Sequence, residues 1–309
     1  MNTHSIVSFL RQSAVVMLLL AVGSVVSAQE ITSVEGFGES DNQGKTASTE
    51  LIRPKSKWLD AYPKHVGLTW GASASLNSNY IWRGLHVAGP CVQADATVGY
   101  GGFFVNLWGN IGATDWTFTA LNPEVDVTIG FSRWGLQFYY IHMYYFDRYA
   151  DGSRSRFFDM HNYVPGGGGT TGEWRLVYRV SNRLPISVLV ALRTFGRDGY
   201  LDENGDLKRA YSTYIELGYD VALPHDWALM PRVGMTPAKS MYTGYQGDFA
   251  VTLVGLKLQK QWGFDGFAVQ AYAHAMLNPW RVTAENLILP IAQASNQKLS
   301  LSVGCSIGI

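Results

Sequence analysis

The sequence predicts an all-β chain, a transmembrane antiparallel up-and-down β-barrel of about 12 strands with short periplasmic turns and long extracellular loops. Three features predict it. Hydrophobicity alternates with a period of two along most of the chain, links between the alternating segments are short and long by turns, and aromatic residues recur at two heights on the apolar phase. Only 16% of the 309 residues are charged, against about 25% in ordinary soluble domains.

The alternation begins in "LTWGASASLNSNYIW", residues 68–82. Leu68, Trp70, Ala72, Ala74 and Leu76 share one phase, continued by Tyr80 and Trp82. Thr69, Gly71, Ser73, Ser75, Asn77, Asn79, Ile81 and Arg83 share the other, and Ser78 falls on the first. A strand with one apolar and one small polar face lies between two unlike media. The pattern returns in "VQADATVGY" (92–100), "PEVDVTIGFS" (123–132), "EWRLVYRVS" (173–181), "YSTYIELGYDV" (211–221) and "KLSLSVGCSIGI" (298–309). Less regular versions fill the intervals and bring the count to about twelve, an even number as single-chain bacterial barrels have.

The links sort by length. Short ones fall at Gly101 and Gly102, "SRWG" (132–135), "SNRLP" (181–185), "LPHD" (223–226) and "QWGFDG" (261–266). Longer ones fall near 84–91, 112–122, 148–172, 196–210, 237–247 and 276–297. Short turns on one rim and long loops on the other is the arrangement of an outer-membrane barrel. Ten residues separate Trp70 from Tyr80, a rise of roughly 25 Å for a strand tilted near 40°, which is the height of the apolar band. Trp70 is thus expected in the inner aromatic belt, Tyr80 and Trp82 in the outer one, and Arg83 in the lumen. The same phase puts Trp134, Tyr219 and Trp227 low, and Tyr144, Trp174 and Tyr211 high.

The ends follow the same logic. Arg11, the apolar run "AVVMLLLAVGSVV" (14–26) and small residues up to Ala28 make residues 1–28 a secretory signal peptide. Residues 29–66 are polar and read as a disordered periplasmic leader, and residues 67–309 as the barrel. The expected location is the outer membrane of a Gram-negative envelope. Lys plus Arg equals Asp plus Glu at 24 each, so the charge balance points to no polyanionic partner, and nucleic acid is not expected as a ligand. The partners implied are membrane lipids, the barrel assembly machinery and small polar solutes. Cys91 and Cys305 are too few for a disulfide framework.

Charged residues on the inward phase make the candidate site. Arg83, Asp95, Glu124, Asp126, Glu173, Arg175 and Arg193 fall in the outer half, and Arg179, Glu216, Asp220 and Arg232 lie deeper. Trp108 is inward as well. Acids and bases facing one another across a narrow lumen create a transverse field. Barrels of about eight strands are filled by side chains and those of about sixteen leave a channel, so twelve admits either outcome. The reading is a porin-like channel with a charged constriction for passive diffusion of small polar or charged solutes. A closed structural barrel is the alternative, with a barrel hydrolase ranked behind it.

"SNYIWRGL" (78–85), "GFFVNLWGN" (102–110) and "PEVDVTIGFSRWGLQFYYIHMYYF" (123–146) also carry a resemblance. Ser78, Tyr80, Trp82, Arg83 and Gly84 match an S-x-Y-x-[FW]-R-G start. Gly102, Phe103 and Trp108 match a G-F-x-x-x-x-W segment, and Glu124, Asp126, Gly130 and Phe131 an E-x-D-x-x-x-G-[FY] strand. Over residues 75–147 the chain resembles the TorF-type porin-like family, also known as Gcw_chp. The resemblance implies an outer-membrane porin-like barrel.

No enzyme, metal or cofactor is expected. "DENGD" (202–206) has calcium-loop spacing at Asp202, Asn204 and Asp206, but its twelfth position is Thr213 rather than Glu, and an Asn-Gly turn explains it. "GGGG" (166–169) is followed by no Lys-Ser/Thr, so it is a loop tip rather than a phosphate cradle. His142 lies on the lipid-facing phase without a serine motif, and Asp159 with His161 lacks a second carboxylate pair. Neither makes a barrel hydrolase.

Overall fold

A computed structural model describes residues 68–113, 121–146, 152–163, 169–181, 184–280 and 298–309. The expected signal peptide and leader lie outside the described residues. Twelve strands form the wall: β1 (Leu68–Asn77), β2 (Cys91–Tyr100), β3 (Phe103–Ala113), β4 (Leu121–Arg133), β5 (Leu136–Tyr145) and β6 (Thr170–Arg179). They continue with β7 (Ile186–Gly196), β8 (Thr213–Tyr219, resuming as Val221–Leu223), β9 (Trp227–Thr236), β10 (Ala250–Phe264), β11 (Phe267–Leu277) and β12 (Leu299–Gly308). Each pairs antiparallel with its chain neighbours, and β1 closes the ring on β12 through Ser73 opposite Gly308. The architecture is a closed twelve-strand antiparallel barrel.

The short turns owe their tightness to residues that accept left-handed backbone. Gly101 and Gly102 (φ 60° and 95°) join β2 to β3, and Trp134 and Gly135 (φ 56° and 75°) join β4 to β5. Positive φ at both central residues matches the right-handed twist of the flanking strands. β8 breaks at Asp220 for a different reason. Beside the break, opposite Tyr219 on β9, stands Pro231, which has no N–H to give the ladder. Arg232 reaches into the gap instead, donating to the Pro231 carbonyl at 3.0 Å.

The period-two reading holds along the wall. Leu68, Trp70, Leu76, Val98, Val105, Leu107, Ile129, Leu256 and Leu301 are exposed on the outside, Leu68 by 71%. Ser73, Ser75, Asn77, Gln93, Asn106, Asn110 and Thr128 are buried inside. Such an apolar exterior around a polar interior is solvated by hydrocarbon rather than water. Trp134, Tyr219 and Trp227 at the short-turn rim, and Trp174 and Tyr211 at the other, all reach the surface as expected.

Tyr80 and Trp82 do not. They are buried, at 5% and 7% exposure, and the expected outer-belt placement is corrected. The chain leaves the wall after Asn77 and folds inward as a ribbon in which Tyr80–Trp82 pairs with Leu85–Ala88. Arg83 and Gly84 form its tip with φ of 50° and 81°. Two antiparallel ribbon strands have the same alternation as a wall strand, so periodicity could not tell them apart.

Candidate functional site

The inturned ribbon touches widely separated parts of the wall. Tyr80 packs edge-on against Trp108 of β3, with ring centroids 5.7 Å apart. Ala88 meets Gly112 at the end of β3, where a Cβ would come within 2.5 Å of the Ala88 side chain. Arg83 reaches Glu173 of β6. Gly84 lies so close to β10 that a Cβ would stand 2.1 Å from the Thr252 carbonyl oxygen, and its own carbonyl accepts from Asn278 beyond β11. Contacts on β3, β6 and β10 mean that the ribbon spans the lumen.

A second segment meets it from the long link after β9. Met241–Thr243 is a buried 3-10 turn. Tyr242 packs against Trp82 at 5.5 Å and Tyr214 of β8 at 5.2 Å. Gly234 on β9 leaves the space for the Tyr214 ring, since a Cβ there would fall 2.0 Å from its hydroxyl. Tyr80, Trp82, Leu85, Trp108, Tyr139, Tyr145, Tyr214 and Tyr242 thus form one apolar cluster inside the barrel.

Arg83 sits at the centre of this cluster. Its Nη1 and Nη2 each donate to Glu173 at 2.8 Å, a two-bond pair between side chains with no solvent exposure. Nη1 also donates to the Tyr242 hydroxyl. The guanidinium lies 4.5 Å from the Tyr214 ring centre and 4.7 Å from that of Trp82. A buried guanidinium needs such company: two charge-assisted bonds and ring faces offset the lost hydration. Glu173 accepts further from Arg175 Nε at 2.5 Å, and Arg193 Nε approaches it to 3.7 Å. The Arg193 guanidinium in turn lies 5.0 Å from the Trp82 ring centre.

Glu124 and Asp126 stand beside this knot rather than in it. The hydroxyls of Tyr80 and Tyr145 face Glu124, while Arg175 and Arg193 are the near cations of Asp126. Three guanidiniums (Arg83, Arg175, Arg193) and three acidic side chains (Glu173, Glu124, Asp126) thus share this part of the lumen, with Glu173 alone bonded to Arg83 and Arg175. Asp95 and Trp108 are buried on the inner face of the adjoining wall, directly opposite one another across β2 and β3. The segments that carry the family resemblance thus meet in space, since Tyr80 packs on Trp108 and faces Glu124.

A second charged group lies nearer the short turns. Arg232 Nη2 donates to Asp220 Oδ1 at 2.5 Å, and its Nε approaches Glu216 Oε1 to 3.5 Å. Arg179 reaches Asp220 Oδ2 at 3.6 Å, and the Tyr214 hydroxyl donates to Glu216 Oε2 at 2.8 Å. Wall strands supply the residues of this deeper tier, whereas Arg83 reaches the upper one from the tip of the inturned ribbon and not from a wall strand. The in-folded segment at 240–245 carried no sequence signal beyond the paired aromatics Tyr242 and Tyr245.

The remaining candidates resolve locally. Asp202 Oδ1 accepts the backbone N–H of Asn204 and Asp206 at 3.0 and 2.9 Å, and Lys208 sits between Asp202 and Asp206 at 3.5 and 3.4 Å. His142 points outward, but its Nε2 is 2.6 Å from the Phe157 carbonyl and the ring is covered by that residue. Asp159 accepts from Asn162 at 3.2 Å. Cys91 and Cys305 are free.

Fold and site together define a class: a closed β-barrel with an apolar exterior, a charged interior in two tiers and a ribbon laid across its lumen. No family model and no curated protein matches the chain. Among solved structures it is similar to a NanC porin in a rhombohedral crystal form, 10% identical at a TM-score of 0.41, over 77% of this chain and 99% of that one. It is also similar to a Pseudomonas aeruginosa FadL homologue, 10% identical at a TM-score of 0.32, over 80% of this chain and 75% of that one.

Proposed function

We propose that the chain is an outer-membrane channel of the TorF-type porin-like kind, passing small polar or charged solutes, with the inturned ribbon occluding its outer mouth. The observation that carries this is the Arg83–Glu173 pair. A buried two-bond ion pair, enclosed by aromatic rings, joins the ribbon to the wall within a barrel whose exterior suits lipid. A purely structural barrel gains little from such a pair, because well-packed apolar residues of similar volume are often as stable. An ion pair can instead exchange partners. The carboxylate or phosphate of an entering solute competes with Glu173 for Arg83, and a ribbon released from Glu173 clears the lumen.

Trp108, Glu124 and Asp126 are the ribbon's seat, and with Asp95 they line the passage on one side. Arg175, Arg193, Arg179, Glu216, Asp220 and Arg232 line it on the other. Planar-bilayer recording of refolded protein tests the reading, with reversal potentials at two salt concentrations. Ion-selective steps that grow when Arg83 is replaced by Ala are expected. Absence of conductance in both forms would leave the second reading, a closed barrel, which the apolar cluster around Trp82 favours.

A further inference from the structure

The inner tier has a cation that its carboxylates do not serve. All four oxygens of Asp220 and Glu216 are engaged by Arg232, Arg179 and Tyr214. Lys257 of β10 is on the inward phase of the same region, near Arg232 and Asp220. Among the described residues it makes no ion pair, and its ammonium lies 4.6 Å from the Tyr272 ring centre. Directly opposite Lys257 in the register stands His274 of β11. Cross-strand partners have Cβ atoms about 5 Å apart, so the two basic side chains are immediate neighbours.

Both ring nitrogens of His274 are buried without a hydrogen-bond partner. Gly255, two residues before Lys257 on the same face, leaves room for the ring: a Cβ there would lie 3.1 Å from Nε2. Arg179, Arg232 and Lys257 are three fixed positive charges against two negative ones, with an unsatisfied imidazole beside them. A buried cation with no counter-ion of its own and buried polar groups left without partners are both costly. A small oxyanion resolves both.

We propose that Lys257 and His274 form an inner solute subsite for a carboxylate or phosphate group, one oxygen accepting from the Lys257 ammonium and a second from a ring N–H of His274. This deepens the channel reading and rests on it. It names the solute class as small oxyanions and gives them a station below the Arg83 pair.

The test is thermal unfolding of the detergent-refolded barrel in inorganic phosphate against chloride at matched ionic strength. A ligand bound only by the folded state raises its midpoint in a saturable way. Wild-type protein is expected to show that rise, and Lys257→Met to need at least tenfold more phosphate for it. Without phosphate, Lys257→Met should melt no lower than wild type, because a buried cation without a counter-ion has been removed. His274→Ala provides the second variant should Lys257→Met not refold, and it should weaken the phosphate effect likewise. Lys208→Met, in an outer loop, controls for general charge loss. No saturable rise in wild type, or one that Lys257→Met or His274→Ala retains undiminished, overturns the subsite. The assay does not depend on conductance. A conducting barrel blind to phosphate sinks the subsite alone, and a phosphate-binding barrel that never conducts sinks the channel reading alone.

Discussion

The guanidinium of Arg83 and the carboxylate of Glu173, 90 residues apart in sequence, meet inside the barrel through two bonds of 2.8 Å. Neither side chain is exposed to solvent. The pair ties the tip of the inturned ribbon to β6, and Arg175 and Arg193 crowd the same carboxylate. Its loss can therefore be read at both ends.

Arg83→Ala removes the ribbon's tether while leaving Glu173 two guanidiniums. The barrel should still fold, because the wall and its lipid-facing surface are untouched. Single-channel conductance should rise, and the reversal potential should move toward cations, because one fixed positive charge is lost where the field is most focused. An unchanged reversal potential in a conducting mutant removes Arg83 from the passage.

Glu173→Gln is the harsher change. It leaves Arg83, Arg175 and Arg193 around a neutral amide, and breaking a buried pair from one side costs about 3–5 kcal/mol. Unfolding by denaturant in lipid vesicles should show a larger loss than Arg83→Ala. Any remaining conductance should favour anions. Equal destabilisation by the two variants would contradict the shared-carboxylate geometry.

Gly84→Val tests the ribbon without altering a charge. A Cβ at Gly84 would stand 2.1 Å from the Thr252 carbonyl oxygen, and φ of 81° disfavours any branched side chain. The ribbon should fail to seat, and trypsin added from outside should cut after Arg83. Wild-type protein should resist that cleavage. Equal resistance in both would show that the ribbon seats despite the side chain.

Leu107→Arg addresses the exterior. Leu107 is exposed on the outer face in the middle of β3. A cation at the midplane of the lipid face costs about 2–4 kcal/mol in barrels of this kind. Leu107→Arg should lower stability in vesicles by that amount and spare conductance, whereas Asn106→Arg, one residue away on the luminal side, should alter conductance. A neutral Leu107→Arg would mean that this surface does not face hydrocarbon.

Strand number, closure and the inside–outside phase were legible because a wall strand between two media must alternate along its own length. Trp70, Leu107 and Ser75 each stand where a count by twos puts them. Strand phase puts Glu173, Arg175, Arg193, Asp220 and Arg232 on inner faces without knowledge of neighbours, but Arg83 joins them from the ribbon, which the phase of a wall strand does not describe. Tyr80 and Trp82 were misread for the same reason. Their alternation continues that of β1, and nothing local marks the point after Asn77 where the chain turns inward.

The sequence by itself determined what lies within reach of one strand: its two faces, its turn residues and the height of its charges. Which charges pair was decided only by the tertiary structure. Glu173 meets Arg83 because the chain leaves the wall after β1 as a ribbon, and because Gly84 and Gly234 leave room for close approach to Thr252 and for the Tyr214 ring. Lys257 and His274 are neighbours because β10 and β11 pair in one register, set by the turn after Phe264. Contacts of that sort depend on ring closure, which brings together residues far apart in the chain, and local sequence does not encode that distance.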